Sequence, residues 1–206
     1  MPTEIELKLT LPPQCVAELK SLPLLKTHSV SEPSIQKLHT VYYDTPDHTL
    51  RKNKMALRLR RMDNTWIQTI KGGGNIQAGL HQQHEWEYPI ATNKPDFSKI
   101  TAPELIELFA NENLRQQLKP IFVTDFTRTT YSLLFMENCN IECCLDQGEI
   151  TANQHTHPIC EIELELKSGT PTQLKQFAAL LQTKCSFPLT EENNNKAMRG
   201  YTLCEQ

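Results

Sequence analysis

No stretch of the 206-residue chain approaches the ~18 consecutive apolar residues of a membrane span. The N-terminus, MPTEIELKLT, puts Glu4, Glu6 and Lys8 where a secretory signal would need an apolar core. Both absences predict a cytoplasmic protein. The seven cysteines are odd in number and contain no C-x-x-C pair. Neither a disulfide framework nor a standard zinc pattern fits them, and a chain of this length folds without staples. Cys143, Cys144, His155 and His157 lack structural-zinc spacing and are read as ordinary side chains. The Walker pattern G-x-x-x-x-G-K-[ST] is missing too, because Lys71 precedes Gly72–Gly74 instead of following them. Those glycines read as a flexible turn between strands. A net charge of −3 and a pI near 6.2 exclude a general nucleic-acid or membrane-surface binder, so any strong field is local.

No repeat, low-complexity run or linker divides the chain, and residues 1–206 are expected to form one domain. Apolar and polar residues alternate over 4–11, 37–44, 55–62, 65–71, 83–90, 121–131, 140–146 and 159–166, the period of strands with two unlike faces. Helical spacing is expected over 13–21, 103–118 and 171–183, with a short turn around 46–53. Many strands and few helices predict an α+β fold built on an antiparallel sheet or closed barrel.

The polar faces of these strands carry the information. Glu4, Glu6 and Lys8 alternate with Ile5, Leu7 and Leu9; Arg58 and Arg60 alternate with Leu57 and Leu59. Glu85 and Glu87 flank Trp86, and Glu161, Glu163 and Glu165 alternate with Ile162 and Leu164. Lys71, Arg128 and Asp146 add single charges on other strands. Rows of like charge are poor strand formers unless something compensates them. One such strand alone reads as a solvated sheet face. Four together predict a closed sheet whose apolar side meets outer helices, with the charged rows in one wet lumen. Paired carboxylates there suit Mg²⁺ or Mn²⁺, and forked arginines with lysines match a chain of phosphates.

At this point the ordered motifs resemble the CYTH superfamily, the triphosphate tunnel metalloenzymes. They are E-I-E-L-K at 4–8, Y-Y-D-T-P-D at 42–47, L-R-L-R at 57–60, T-I-K ending at Lys71, G-L-H-Q at 79–82 and T-D-F-T-R at 124–128. L-D-Q-G-E at 145–149, C-E-I-E-L-E-L at 160–166 and K-A-M-R-G-Y at 196–201 complete the set. Within that family the chain is most similar to bacterial inorganic triphosphatases. Longer members add a C-terminal helical CHAD domain, which is not expected within a chain ending at Gln206. Asn193–Asn195 stand where the family leads one to expect a serine before the lysine.

The resemblance implies a closed eight-stranded antiparallel β-barrel forming a tunnel, with helices outside and a triphosphate within. It places Glu4, Glu6, Glu161, Glu163, Glu165 and Asp146 as metal ligands. Lys8, Arg58, Arg60, Lys71, Arg128, Lys196 and Arg199 fall on phosphate oxygens, Arg199 alternatively in a helix-surface ion pair. Glu85 and Glu87 support the acidic side or orient the basic groups, while His81 and His84 serve as hydrogen-bonding residues at the mouth. Glu4, Glu6, Lys8 and Lys71 are the expected catalytic set. The implied reaction is metal-dependent hydrolysis of inorganic triphosphate to diphosphate and phosphate. A thiamine triphosphatase or class IV adenylate cyclase would use similar ligands on an organic triphosphate. A non-catalytic polyphosphate-binding module is disfavoured, because binding an anion alone would not call for so many carboxylates.

Overall fold

The computed structural model describes residues 3–62 and 65–206. Eight strands carry the alternation: β1 (Thr3–Thr10), β2 (Ser34–Asp44), β3 (Met55–Met62), β4 (Thr65–Gln77), β5 (Leu80–Ile90), β6 (Lys119–Phe135), β7 (Cys139–Ala152) and β8 (His155–Ser168). They pair antiparallel in the order β5-β4-β3-β2-β6-β7-β8-β1, and β1 pairs back to β5, closing the barrel. A two-residue strand, β9 (Thr190–Glu191), pairs antiparallel with Leu9 and Thr10 at the end of β1. Closure leaves each long strand paired on both sides and divides its side chains between a lumen and an outer face.

The outer face is covered by helices in two places. Leu7 and Leu9 of β1, Leu133 of β6, Leu145 of β7 and Leu164 of β8 pack under α1 (Val16–Ser21), α2 (Pro23–His28) and α6 (Pro171–Lys184). On the other side, Leu57 and Ile70 meet Leu50 of α3 (Thr49–Lys52), Leu105 and Phe109 of α4 (Pro103–Phe109) and Leu114 of α5 (Glu112–Gln117). One end of the lumen is itself apolar. Leu38, Phe122, Phe126, Ile150 and Ile159 fill it, joined by Tyr201 and Leu203 of α7 (Lys196–Cys204). Gly200 permits that docking, because a Cβ there would stand 2.2 Å from the Phe122 ring. No helix among the described residues is long and apolar enough to cross a membrane.

Four local expectations are corrected. The 103–118 segment is two helices, because the Asn111 side chain accepts from the Leu114 N–H and starts a second one. The expected 13–21 segment is a 3-10 turn over Pro13–Cys15 that runs into α1, and a further, unexpected helix, α2, opens at Pro23. Gly72–Gly74 are not a turn: they lie inside β4 at a register shift between Gly72 and Asn75, and the chain reverses at Ala78–Gly79. Gly74 has φ +92°, and a Cβ there would come within 1.9 Å of the Gln82 carbonyl oxygen. Finally, α7 enters the barrel end instead of covering the outside. Cys143 packs in the outer core, Cys144 faces the lumen, and His155 and His157 are exposed.

Candidate active site

The register explains how the charged rows converge. Across β1–β8, Glu6 faces Glu165, Lys8 faces Glu163 and Thr10 faces Glu161. Across β8–β7, Glu165 faces Glu142, Glu163 faces Cys144 and Glu161 faces Asp146, which in turn faces Arg128 of β6. On the far wall Arg58 lies opposite Tyr42 and Thr69, and Lys71 opposite Glu85. These side chains surround a cavity of about 550 Å³ lined by Glu4, Glu6, Lys8, Arg58, Arg60, Lys71, Arg128, Glu163, Glu165 and Lys196. The lining also takes in the β4 bulge, Arg51 of α3, Lys54, Met55 and Ala56 at the start of β3, and the start of α7.

One half of the site is a dense ion-pair network. The Lys196 ammonium bonds Asp146 at 2.6 Å and Glu163 at 2.9 Å, also contacts Glu161, and lies 4.9 Å from the Phe126 ring centroid. Arg128 clasps Asp146 through two bonds of 2.7 Å and reaches Glu163. Lys8 pairs with Glu163 and, at 2.9 Å, with Glu6. Burial alone would lower the Lys8 ammonium, but Glu163, Glu6 and Glu161 outweigh it and hold Lys8 well above the ordinary lysine range. Burial alone would raise Glu163 and Asp146, yet Lys196 and the other cations hold both below the usual carboxylate range.

Asp146 and Glu161 are sealed from solvent at 0 % exposure and do not line the cavity. They stand behind Lys196, and Glu161 also pairs with Arg199. Arg199 is therefore half-buried, in an ion pair with a buried carboxylate, and not in a pair on the helix surface. Glu85 bonds Arg58 at 3.1 Å and lies 3.4 Å from Lys71, whose other partner is Glu4. Glu87 accepts from the Thr69 hydroxyl, and His81 meets the Glu192 carbonyl through Nε2.

Arg60 differs from its neighbours. Its Nε donates to the Thr40 hydroxyl at 3.1 Å, and among the described residues no carboxylate lies within ion-pair distance. Burial, with Arg58 and Arg128 nearby, depresses its guanidinium to about 10. The guanidinium thus stands in the cavity with charge that no carboxylate offsets among the described residues.

The acidic side fits a hard divalent cation by its donor chemistry. The carboxylates of Asp146, Glu161 and Glu163 lie within 4.8 Å of one another but enclose the Lys196 ammonium, so the oxygens open to an ion are those lining the cavity, on Glu4, Glu6, Glu163 and Glu165, with Glu6 and Glu165 opposed across the β1–β8 ladder. Directly opposed like charges destabilise a sheet unless a cation offsets them. Burial raises the Glu165 carboxyl, Lys167 lowers it and Glu4 raises it again; the net shift is upward. The sequence reading missed Glu142, Thr40, Tyr42 and Cys144. Parity alone could have found Glu142 and Cys144, which share the face of Asp146. Cys144 is an inert thiol, pushed to about 12 by burial.

Residues 2–201 match the CYTH domain family. The chain is 38% identical over 201 residues to an inorganic triphosphatase of Haemophilus influenzae, covering 97% of this chain and 54% of that protein, so it spans about half the length of this curated relative. Among solved structures, a Hippeastrum protein described as a candidate adenylyl cyclase with a dominant triphosphatase activity matches with a TM-score of 0.74 at 19% identity, covering 97% of this chain and 95% of that one. A candidate adenylate cyclase from Bacillus halodurans matches with a TM-score of 0.57 at 19% identity, covering 97% and 98%. At these identities the two structures share the fold with this chain.

Proposed function

The chain belongs to the CYTH domain family, and from that membership we propose that its lumen hydrolyses inorganic triphosphate to diphosphate and phosphate. The observation that carries the reading is Arg60, a lumenal cation with a hydroxyl as its partner and no carboxylate in range among the described residues. Lys8, Arg58, Lys71, Arg128 and Lys196 surround the same cavity and supply further charge. Without ligand these other five spend that charge on Glu163, Glu85, Glu4, Asp146 and Glu161. A triphosphate competes for the same ammonium and guanidinium groups, and as they turn to phosphate oxygens they release carboxylates.

Mg²⁺ or Mn²⁺ would be held by Glu4, Glu6, Glu163 and Glu165, the four carboxylates that reach the cavity. When bound, such an ion neutralises phosphate oxygens and acidifies a water. Asp146 and Glu161 act one step back, fixing Arg128, Arg199 and Lys196 in place of binding metal directly. The protein's own contribution is positioning and charge neutralisation, which is most of what phosphoryl transfer requires. Guanidinium forks from two strands hold the phosphate chain in register, and Lys8 and Lys71 flank the acidic side where the bond is cut.

A phosphate-release panel tests this directly. Inorganic triphosphate, ATP, thiamine triphosphate and long-chain polyphosphate are compared with Mg²⁺ and with Mn²⁺. The expected outcome is the highest kcat/KM for inorganic triphosphate, and a higher value for ATP, or cyclic AMP among the products, would refute it.

A further inference from the structure

Asp44 closes β2 with a carboxylate at 0 % exposure that is filled from two directions. It accepts from the backbone N–H groups of Thr45, Leu50 and Arg51 at 2.7, 2.8 and 3.0 Å. Those bonds serve α3, whose own N-cap residue, His48, has φ 56° and offers no side-chain cap. The remaining position takes the Tyr201 hydroxyl of α7 at 2.6 Å. The Tyr201 ring is held as well: the Arg51 guanidinium lies 5.1 Å from its centroid, and Phe122 and His48 contact it at 5.5 and 5.4 Å. Arg51 makes a second tie to Glu205, just past the end of α7.

Lys196 is the first residue of that helix and reaches the acidic cluster from its other end. Tyr201 lies five residue steps further along the helix, about 140° around the axis at 3.6 residues per turn. The helix is thus pinned at two points on different sides. Without the Tyr201 attachment, no hydrogen bond to Asp44 would fix the roll of α7, which would rest on the ion pairs of Lys196 and Arg199, the Arg51–Glu205 tie and packing against Phe122. We propose that Asp44 and Tyr201 are positioning residues that hold α7 so that the Lys196 ammonium meets a phosphoryl group of the substrate. The inference rests on the reading of Lys196 as a phosphate contact. It gives the buried Asp44 of the 42–47 segment a role at a distance, through Tyr201 and the helix.

The test is a double-mutant cycle on inorganic triphosphate hydrolysis with Mg²⁺, read below the onset of thermal unfolding of each variant. Tyr201→Phe keeps the ring and removes the bond to a charged acceptor; it should lower kcat/KM about tenfold. The loss should divide between kcat and KM as it does in Lys196→Ala. In the Lys196→Ala background the same substitution should change kcat/KM by less than about twofold. Asp44→Asn weakens the same bond from the other side and should behave alike. A full tenfold loss in both backgrounds, wild-type kinetics in Tyr201→Phe, or loss of folding in both Tyr201→Phe and Asp44→Asn overturns this inference alone. Wild-type kinetics in Lys196→Ala would overturn the phosphate reading of Lys196, and the inference with it.

Discussion

Arg58 and Arg60 leave β3 on the same face, yet among the described residues it is Arg58 that meets a carboxylate, Glu85 at 3.1 Å, while Arg60 donates to the Thr40 hydroxyl at 3.1 Å. Two residues of spacing therefore separate an arginine already committed to an ion pair from one free to take an anion. The difference appears in stability as well as in binding. Arg60→Ala removes one hydrogen bond to a neutral acceptor and relieves repulsion from Arg58 and Arg128, so the ligand-free protein should keep its stability within about 1 kcal/mol. Triphosphate without metal should raise the Tm of the wild type and raise that of Arg60→Ala much less. Equal ligand-induced shifts in a thermal melt would remove Arg60 from the anion site.

Glu163 and Glu165 sit two residues apart on one strand face and should respond oppositely to amidation. Glu163→Gln leaves Lys8, Arg128 and Lys196 short of a buried partner, a change of the kind that costs about 3–5 kcal/mol. Glu165→Gln removes one member of a like-charge pair with Glu6, and the metal-free protein should be as stable as wild type or slightly more so. Hydrolysis should fall at least a hundredfold in both. Chemical denaturation of the two variants side by side decides it, and equal destabilisation would contradict the assignment of roles.

Acidification should act in two steps on the metal-free protein. Glu165 is raised above its unfolded value of 4.5, so the folded state binds that proton more tightly and gains stability as the pH falls through the raised value. Glu163 and Asp146 are lowered below 4.5 and 3.8, so their contribution is present above those values and is lost as the pH falls further. Melting temperatures between neutral pH and pH 3 should rise slightly and then drop. Glu165→Gln should abolish the rise and keep the drop. A monotonic wild-type curve that matches the variant's would show that Glu165 does not carry the first step.

Periodicity made the two faces of β1 legible, because E-I-E-L-K-L has one residue type per face. It fixed the face of Asp146 and Glu161 but not their depth along the barrel axis, and that depth puts them behind Lys196 instead of against the cavity. Three consecutive glycines look like a turn in one dimension. In the barrel they form a bulge whose backbone approaches Gln82 too closely for any side chain at Gly74. The helix α7 was hidden by its shortness and by a glycine in its middle, and that glycine is required by a ring on another strand.

That last contact gives a packing prediction. Gly200→Ala places a methyl 2.2 Å from the Phe122 ring, so α7 must shift, at a cost of about 1–3 kcal/mol. Combining it with Phe122→Leu should recover part of both stability and hydrolysis. Full stability in Gly200→Ala alone would mean that α7 is not seated on Phe122.

The central claim is that the charged rows face a lumen where triphosphate is cut, and steady-state kinetics of Arg60→Ala and Arg60→Lys on inorganic triphosphate test it most directly. The account predicts a loss in kcat/KM worth about 2–5 kcal/mol for alanine, the scale of removing one partner of a desolvated charge-assisted contact. Lysine should recover only part of it, since it keeps the charge and loses the fork. Values for both variants within twofold of wild type would place Arg60 outside the reaction and contradict the lumenal site.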